Sequence, residues 1–77
     1  MPEKPKSVGG RQMVRFLQRR GWRVERIHGP HHILHHEDYR DVTIVVAVHG
    51  RKTMSPRAIV ATLKAAAIST EEFNKEA

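Results

Sequence analysis

The apolar positions of this chain change their period along its length, and each change marks an element. Met13, Val14, Phe16 and Leu17 form one stripe while Arg11, Arg15 and Arg19 recur every fourth residue opposite it, the spacing of an amphipathic helix. Ser7 is its expected N-cap, the helix is predicted over Val8 to Arg20, and Gly21 is its stop. Gly9 and Gly10 weaken the first turn by about 1 kcal/mol each relative to Ala. From Trp22 to His28 apolar and charged residues alternate, which predicts a first strand with Trp22 and Val24 on one face. Val42 to Val48 is β-branched nearly throughout and predicts a third strand of the kind that suits the centre of an antiparallel sheet. Ser55-Pro56 has the form of an N-cap followed by proline at the first helical position, and Ile59, Val60, Leu63, Ala66 and Ala67 supply that helix with an apolar stripe. Ser69-Thr70-Glu71-Glu72 is a capping box for a short terminal helix anchored by Phe73.

Between the first and third strands lies His28-Gly29-Pro30-His31-His32-Ile33-Leu34-His35-His36, which holds five of the six histidines. Gly29-Pro30 excludes a helix, because proline lacks an amide hydrogen and restricts the residue before it. His31 to His36 is therefore read as the second strand, with His31, Ile33 and His35 on one face and His32, Leu34 and His36 on the other. The order is helix, three strands, helix and a short extra helix, an α+β fold. Both long helices must cover the same sheet face, since one helix and one sheet face cannot bury themselves alone.

Length and charge narrow the function. At 77 residues there is room for one modest core and no large enclosed cavity. Residues 1–6 read as a flexible N-terminal arm and residues 7–77 as a single domain. No cysteine is present, so disulfides and thiolate metal sites are excluded. No apolar run approaches membrane-spanning length and Met1 to Lys6 lacks a signal-type segment, so a cytoplasmic protein is expected. Fourteen Lys and Arg against eight Asp and Glu give a net charge of +6, and residues 1–26 carry eight of the basic and two of the acidic groups, which points to a polyanionic or acidic partner.

The first helix ending at Gly21-Trp22, Gly29-Pro30-His31-His32-Ile33, Val48-His49-Gly50-Arg51-Lys52, Ser55-Pro56, Leu63-Lys64-Ala65-Ala66 and Ile68-Ser69-Thr70-Glu71-Glu72-Phe73 together resemble, in order and spacing, a HicA-type toxin of the HicA–HicB toxin–antitoxin pairs. The resemblance implies a double-stranded-RNA-binding-like α-β-β-β-α fold and an endoribonuclease that cleaves messenger RNA without a metal or other cofactor. It also implies a HicB-like antitoxin as inhibitor and a catalytic histidine, which maps to His31. Pro30 stands where the family usually has Ser or Gly, Ala47 where proline is common, and Ala67 where glycine is common.

The residues carry that chemistry as follows. An imidazole with an unperturbed pKa near 6.5 can both take and give a proton near neutrality, which suits His31 as general acid/base. His49 is the candidate helper, while His32 and His35 fall on opposite faces and His28 and His36 read as surface residues. Arg51, Lys52 and the helix N-terminus at Ser55 outline a phosphate site. The row Arg11, Arg15, Arg19 can track RNA, dock an acidic partner, or simply face solvent. Two other readings remain open: a non-catalytic RNA-binding domain of the same fold, and a histidine-rich metal-binding module, for which strand geometry offers only widely separated pairs.

Overall fold

Arg23–His28 (β1) and His31–His35 (β2) are separated by Gly29-Pro30 alone, so they pair antiparallel, and Thr43–Ala47 (β3) pairs antiparallel with β2 on its other side. The sheet order is β1-β2-β3. Helices Gly10–Arg19 (α1), Pro56–Ala65 (α2) and Thr70–Glu76 (α3) complete the α+β arrangement. The structure is a computed structural model and describes residues 3–77; Met1 and Pro2, part of the expected arm, lie outside the described residues. Residues just after them bond to α3: Asn74 accepts the Lys6 amide at 2.8 Å and donates to Glu3 Oε2 at 2.6 Å and to the Lys4 carbonyl at 2.8 Å.

A two-residue turn creates a conflict that the sheet must resolve. It sets His28 opposite His31, Ile27 opposite His32 and Arg26 opposite Ile33. Regular pairing would then bring Glu25 against Leu34, which is fully buried, and would turn Trp22 and Val24 away from the helices. One extra residue removes the conflict: the register shifts between Val24 and Arg26, so that Val24 faces Leu34 and Arg23 faces His35. Trp22 becomes buried as a result.

The helix-covered face of the sheet carries Leu34, Ile44 and Val46, packed among Met13, Phe16 and Leu17 of α1, Ile59 and Leu63 of α2, and Phe73 of α3. Phe16 and Phe73 meet edge to face, 5.0 Å between centroids. Both long helices therefore share one face, as the packing argument requires. The other face is open and bears Arg23, Arg26, His28, His31, Ile33, His35, Thr43, Val45 and Ala47.

Three expectations are corrected. β2, not the β-branched β3, is the central strand: β3 is an edge, and Val45 on its open side is half exposed. Gly9, not Ser7, is the N-cap of α1, with Gln12 Oε1 accepting the Gly9 amide at 2.8 Å. The helix starts late because the chain before it is held extended, the Val8 carbonyl accepting from the Met54 amide at 2.8 Å and Gly9 bridging Thr53. Ala67 is exposed rather than part of the α2 stripe. It occupies a left-handed position, φ 57°, with its amide donating to Lys64 and that of Ile68 to Leu63, a Schellman ending normally built on glycine. Gly21, φ 93°, ends α1 in the same way.

Gly10 lies in α1, yet its role is not conformational freedom. A Cβ there would overlap the Ala47 carbonyl oxygen and stand 3.0 Å from Val48 Cα, both backbone atoms. Gly10→Ala, which in a free helix would stabilise by about 1 kcal/mol, should instead destabilise by about 2 kcal/mol, read as a lower midpoint in urea unfolding. Arg20 donates to Glu72 at 2.9 Å and pairs with Glu76, tying α1 to α3. The hydrogen bond and charge of Arg20 hold the Glu72 carboxyl below its ordinary 4.5, and those of the two glutamates raise the guanidinium. This contribution is complete above pH 4.5 and disappears as pH falls through the lower folded value. The melting temperature should accordingly drop on acidification below that point, and drop less in Arg20→Met.

Candidate active site

Each histidine is defined by what its two ring nitrogens bond. His36, expected at the surface, is half-buried against Trp22, 5.2 Å between centroids, with Tyr39 tilted against it at 4.9 Å. Its Nε2 donates to the Arg20 carbonyl at 2.9 Å and its Nδ1 accepts the Asp38 amide at 3.0 Å. Both nitrogens are held by backbone groups, so this imidazole closes the end of α1. His32, on the same covered face, directs Nδ1 to the Pro30 carbonyl at 3.4 Å and borders a cleft with Arg11, Arg15, Gln18 and Ile27.

His31 is exposed at the start of the central strand on the open face, where among the described residues its side chain has no hydrogen-bond partner. It lies directly opposite Ala47 of β3 and His28 of β1. Ala47 also lines a cleft of about 380 Å³ with Val45, His49, Lys52, Met54 and Ser55. His49, Lys52 and Ser55 thus line one cleft at the end of β3, and His31 stands on the neighbouring strand opposite Ala47. Pro30 is accommodated in the turn, its carbonyl accepting the Val48 amide at 2.8 Å.

At α2 the Ser55 hydroxyl accepts the Ala58 amide at 3.1 Å and Pro56 has no amide hydrogen. Arg57 is left as the first-turn amide open to an anion, next to exposed Arg51 and Lys52. The arginine row of α1 divides. Arg11 and Arg15 border the His32 cleft, whereas Arg19 leans over the Phe16 ring at 6.0 Å, toward α3.

One group was not readable from periodicity. The register shift in β1 brings Glu25 beside His35, with Nδ1 2.5 Å from Glu25 Oε1, and Nε2 lies 3.0 Å from Thr43 Oγ1. The signal was present in the sequence as the clash between a two-residue turn and the Glu25–Leu34 pairing it would force. Among the described residues no three His, Asp or Glu side chains converge in a metal-binding geometry.

The chain is a small α+β domain of α-β-β-β-α order, with a helix-covered antiparallel sheet and an exposed histidine where a tight turn enters the central strand. The family model described as the HicA toxin of bacterial toxin–antitoxin systems matches residues 10–68, and the chain belongs to that family. It is the toxin of a toxin–antitoxin pair. No curated protein and no solved structure matches it.

Removing the His36 ring leaves the Asp38 amide and the Arg20 carbonyl unpaired, whereas removing that of His31 strands nothing. His36→Ala should cost about 2 kcal/mol in chemical denaturation and His31→Ala less than about 0.5 kcal/mol.

Proposed function

We propose that this domain, over residues 7–77, is an endoribonuclease that cleaves messenger RNA in the cytoplasm without a metal, with His31 as general acid/base and a HicB-like antitoxin as its inhibitor. The observation that carries the reading is the pairing of His31 with Ala47 beside the 49–55 loop. An exposed imidazole, without a hydrogen-bond partner among the described residues, stands opposite Ala47, which lines a cleft with His49, Lys52 and Ser55 at the start of α2. Cleavage needs a proton taken from a 2′-hydroxyl, one given to the leaving oxygen, and cationic groups on the phosphorane. His31 supplies proton transfer, Arg51 and Lys52 the charge, and His49 and Ser55 border the same cleft. Arg11 and Arg15 at the His32 cleft and Arg19 nearer α3 form a separate basic region of α1 for the RNA backbone, which folds of this kind read by shape and 2′-hydroxyl contacts.

Induced expression of the wild type should arrest growth and leave cut messages in primer extension, while His31→Ala, equally soluble, should do neither. If the folded wild type cuts no RNA, the ribonuclease reading fails and a non-catalytic RNA-binding domain replaces it.

A further inference from the structure

RNA cleavage by in-line attack places the base and the acid on opposite sides of phosphorus, so one imidazole is half of a catalytic pair. We propose that His35, oriented by Glu25, is the general base that works opposite His31 on the open face of β2; this rests on the ribonuclease reading above. The Glu25–His35–Thr43 network is its structural ground. A carboxylate can only accept, so Glu25 takes the Nδ1 hydrogen and leaves the Nε2 lone pair facing the Thr43 hydroxyl at 3.0 Å. A threonine hydroxyl can donate to the neutral ring or accept from the protonated one. The network therefore holds the ring in place in both protonation states, which the bonding of His36 does not allow. Glu25 also stabilises the imidazolium formed when the base takes its proton, the role of the orienting carboxylate in nucleophile–histidine–acid triads.

Position agrees with this role. His31 and His35 are four residues apart on one strand and share its open face, with Ile33 between them. At the usual strand rise their Cα atoms are about 13 Å apart. A base and an acid that flank one phosphodiester need roughly 10 Å between nitrogens, two hydrogen bonds of about 2.8 Å plus the span from entering to leaving oxygen. His35 is held across the sheet between Glu25 and Thr43, and the His31 ring, with no hydrogen-bond partner among the described residues, is the one that can lean along the strand to close that distance. Arg23 lies directly opposite His35 and, with Arg40 and the carboxylates Glu25 and Glu37, borders the shallow depression beside it, so the two guanidiniums are there to meet an RNA phosphate while the carboxylates balance them. An exposed His–Glu pair held for stability alone would contribute little, and would not need a third partner on the neighbouring strand.

The step balances without a further reactant. The 2′-hydroxyl donates to Nε2 in place of Thr43, its proton passes to His35, and the 2′-oxygen forms a bond to phosphorus. The bond from phosphorus to the 5′-oxygen breaks, and that oxygen takes the proton carried by His31. The products end in a 2′,3′-cyclic phosphate and a 5′-hydroxyl, and exchange with water resets both rings.

The experiment is single-turnover cleavage of an RNA oligonucleotide between about pH 5 and pH 9 by the wild type, His31→Ala, His35→Gln, Glu25→Gln and Thr43→Val, with circular dichroism to verify folding. His35→Gln should lower the cleavage rate about 100-fold with little change in substrate affinity, and should flatten the limb that rises with pH. Glu25→Gln should cost about tenfold and displace that limb, and Thr43→Val, which frees one side of the ring but leaves the orienting carboxylate, should cost less than Glu25→Gln and leave the limb where it is. A folded wild type that cuts nothing overturns both this assignment and the ribonuclease reading. Cleavage that depends on His31 but survives His35→Gln with an unchanged pH profile, a loss in affinity alone, or products with a 3′-hydroxyl overturns the assignment of His35 and leaves the ribonuclease reading standing.

Discussion

The seating of α1 on the end of β3 is the constraint from which the rest of the arrangement follows. Gly10 lets the helix backbone touch the Ala47 carbonyl, and the residues just before it are tied to the 53–54 segment by the Gly9–Thr53 bridge and the Val8–Met54 hydrogen bond. Three parts of the chain meet there: the start of α1, the end of β3, and the loop that leads into α2. With those fixed, the helices have one sheet face to cover, and the basic loop 49–55 is held beside Ala47, opposite which His31 emerges. The packing of a single glycine thus reaches the surface on which the chemistry is placed.

Elements and layers were legible in the sequence because period carries them. The 3.6-residue stripe of Met13 to Leu17, the capping signals at Ser55-Pro56 and Ser69, and the two faces of β2 all appear as written. Contacts between elements were less accessible. Gly10 reads as a weak helix residue until the strand it touches is known. β-branched composition marks β3 as a strand but says nothing about which strand has neighbours on both sides. His36 reads as polar surface, because imidazole bonding to backbone groups of another element leaves no trace in local pattern. His31 at the start of its strand was within reach, since the turn fixes where the strand begins. Glu25 was missed because periodicity assumes regular pairing.

The histidines separate by bonding, not by position along the chain. His36 has both nitrogens spoken for and belongs to the architecture. His31 has neither, and His35 is held by partners that accept it in either protonation state. Neighbours in sequence thus alternate between the helix-covered and the open side of the sheet, which is what a central strand with one covered and one open face imposes.

The irregularity at Glu25 has a further meaning. One inserted residue turns Trp22 and Val24 into the core and, by the same displacement, delivers a carboxylate to His35. Interior and reactive surface are therefore two readings of one backbone defect. Restoring regular pairing would expose the tryptophan and part the histidine from the carboxylate in a single change, so the burial that stabilises the core also holds that surface contact in place.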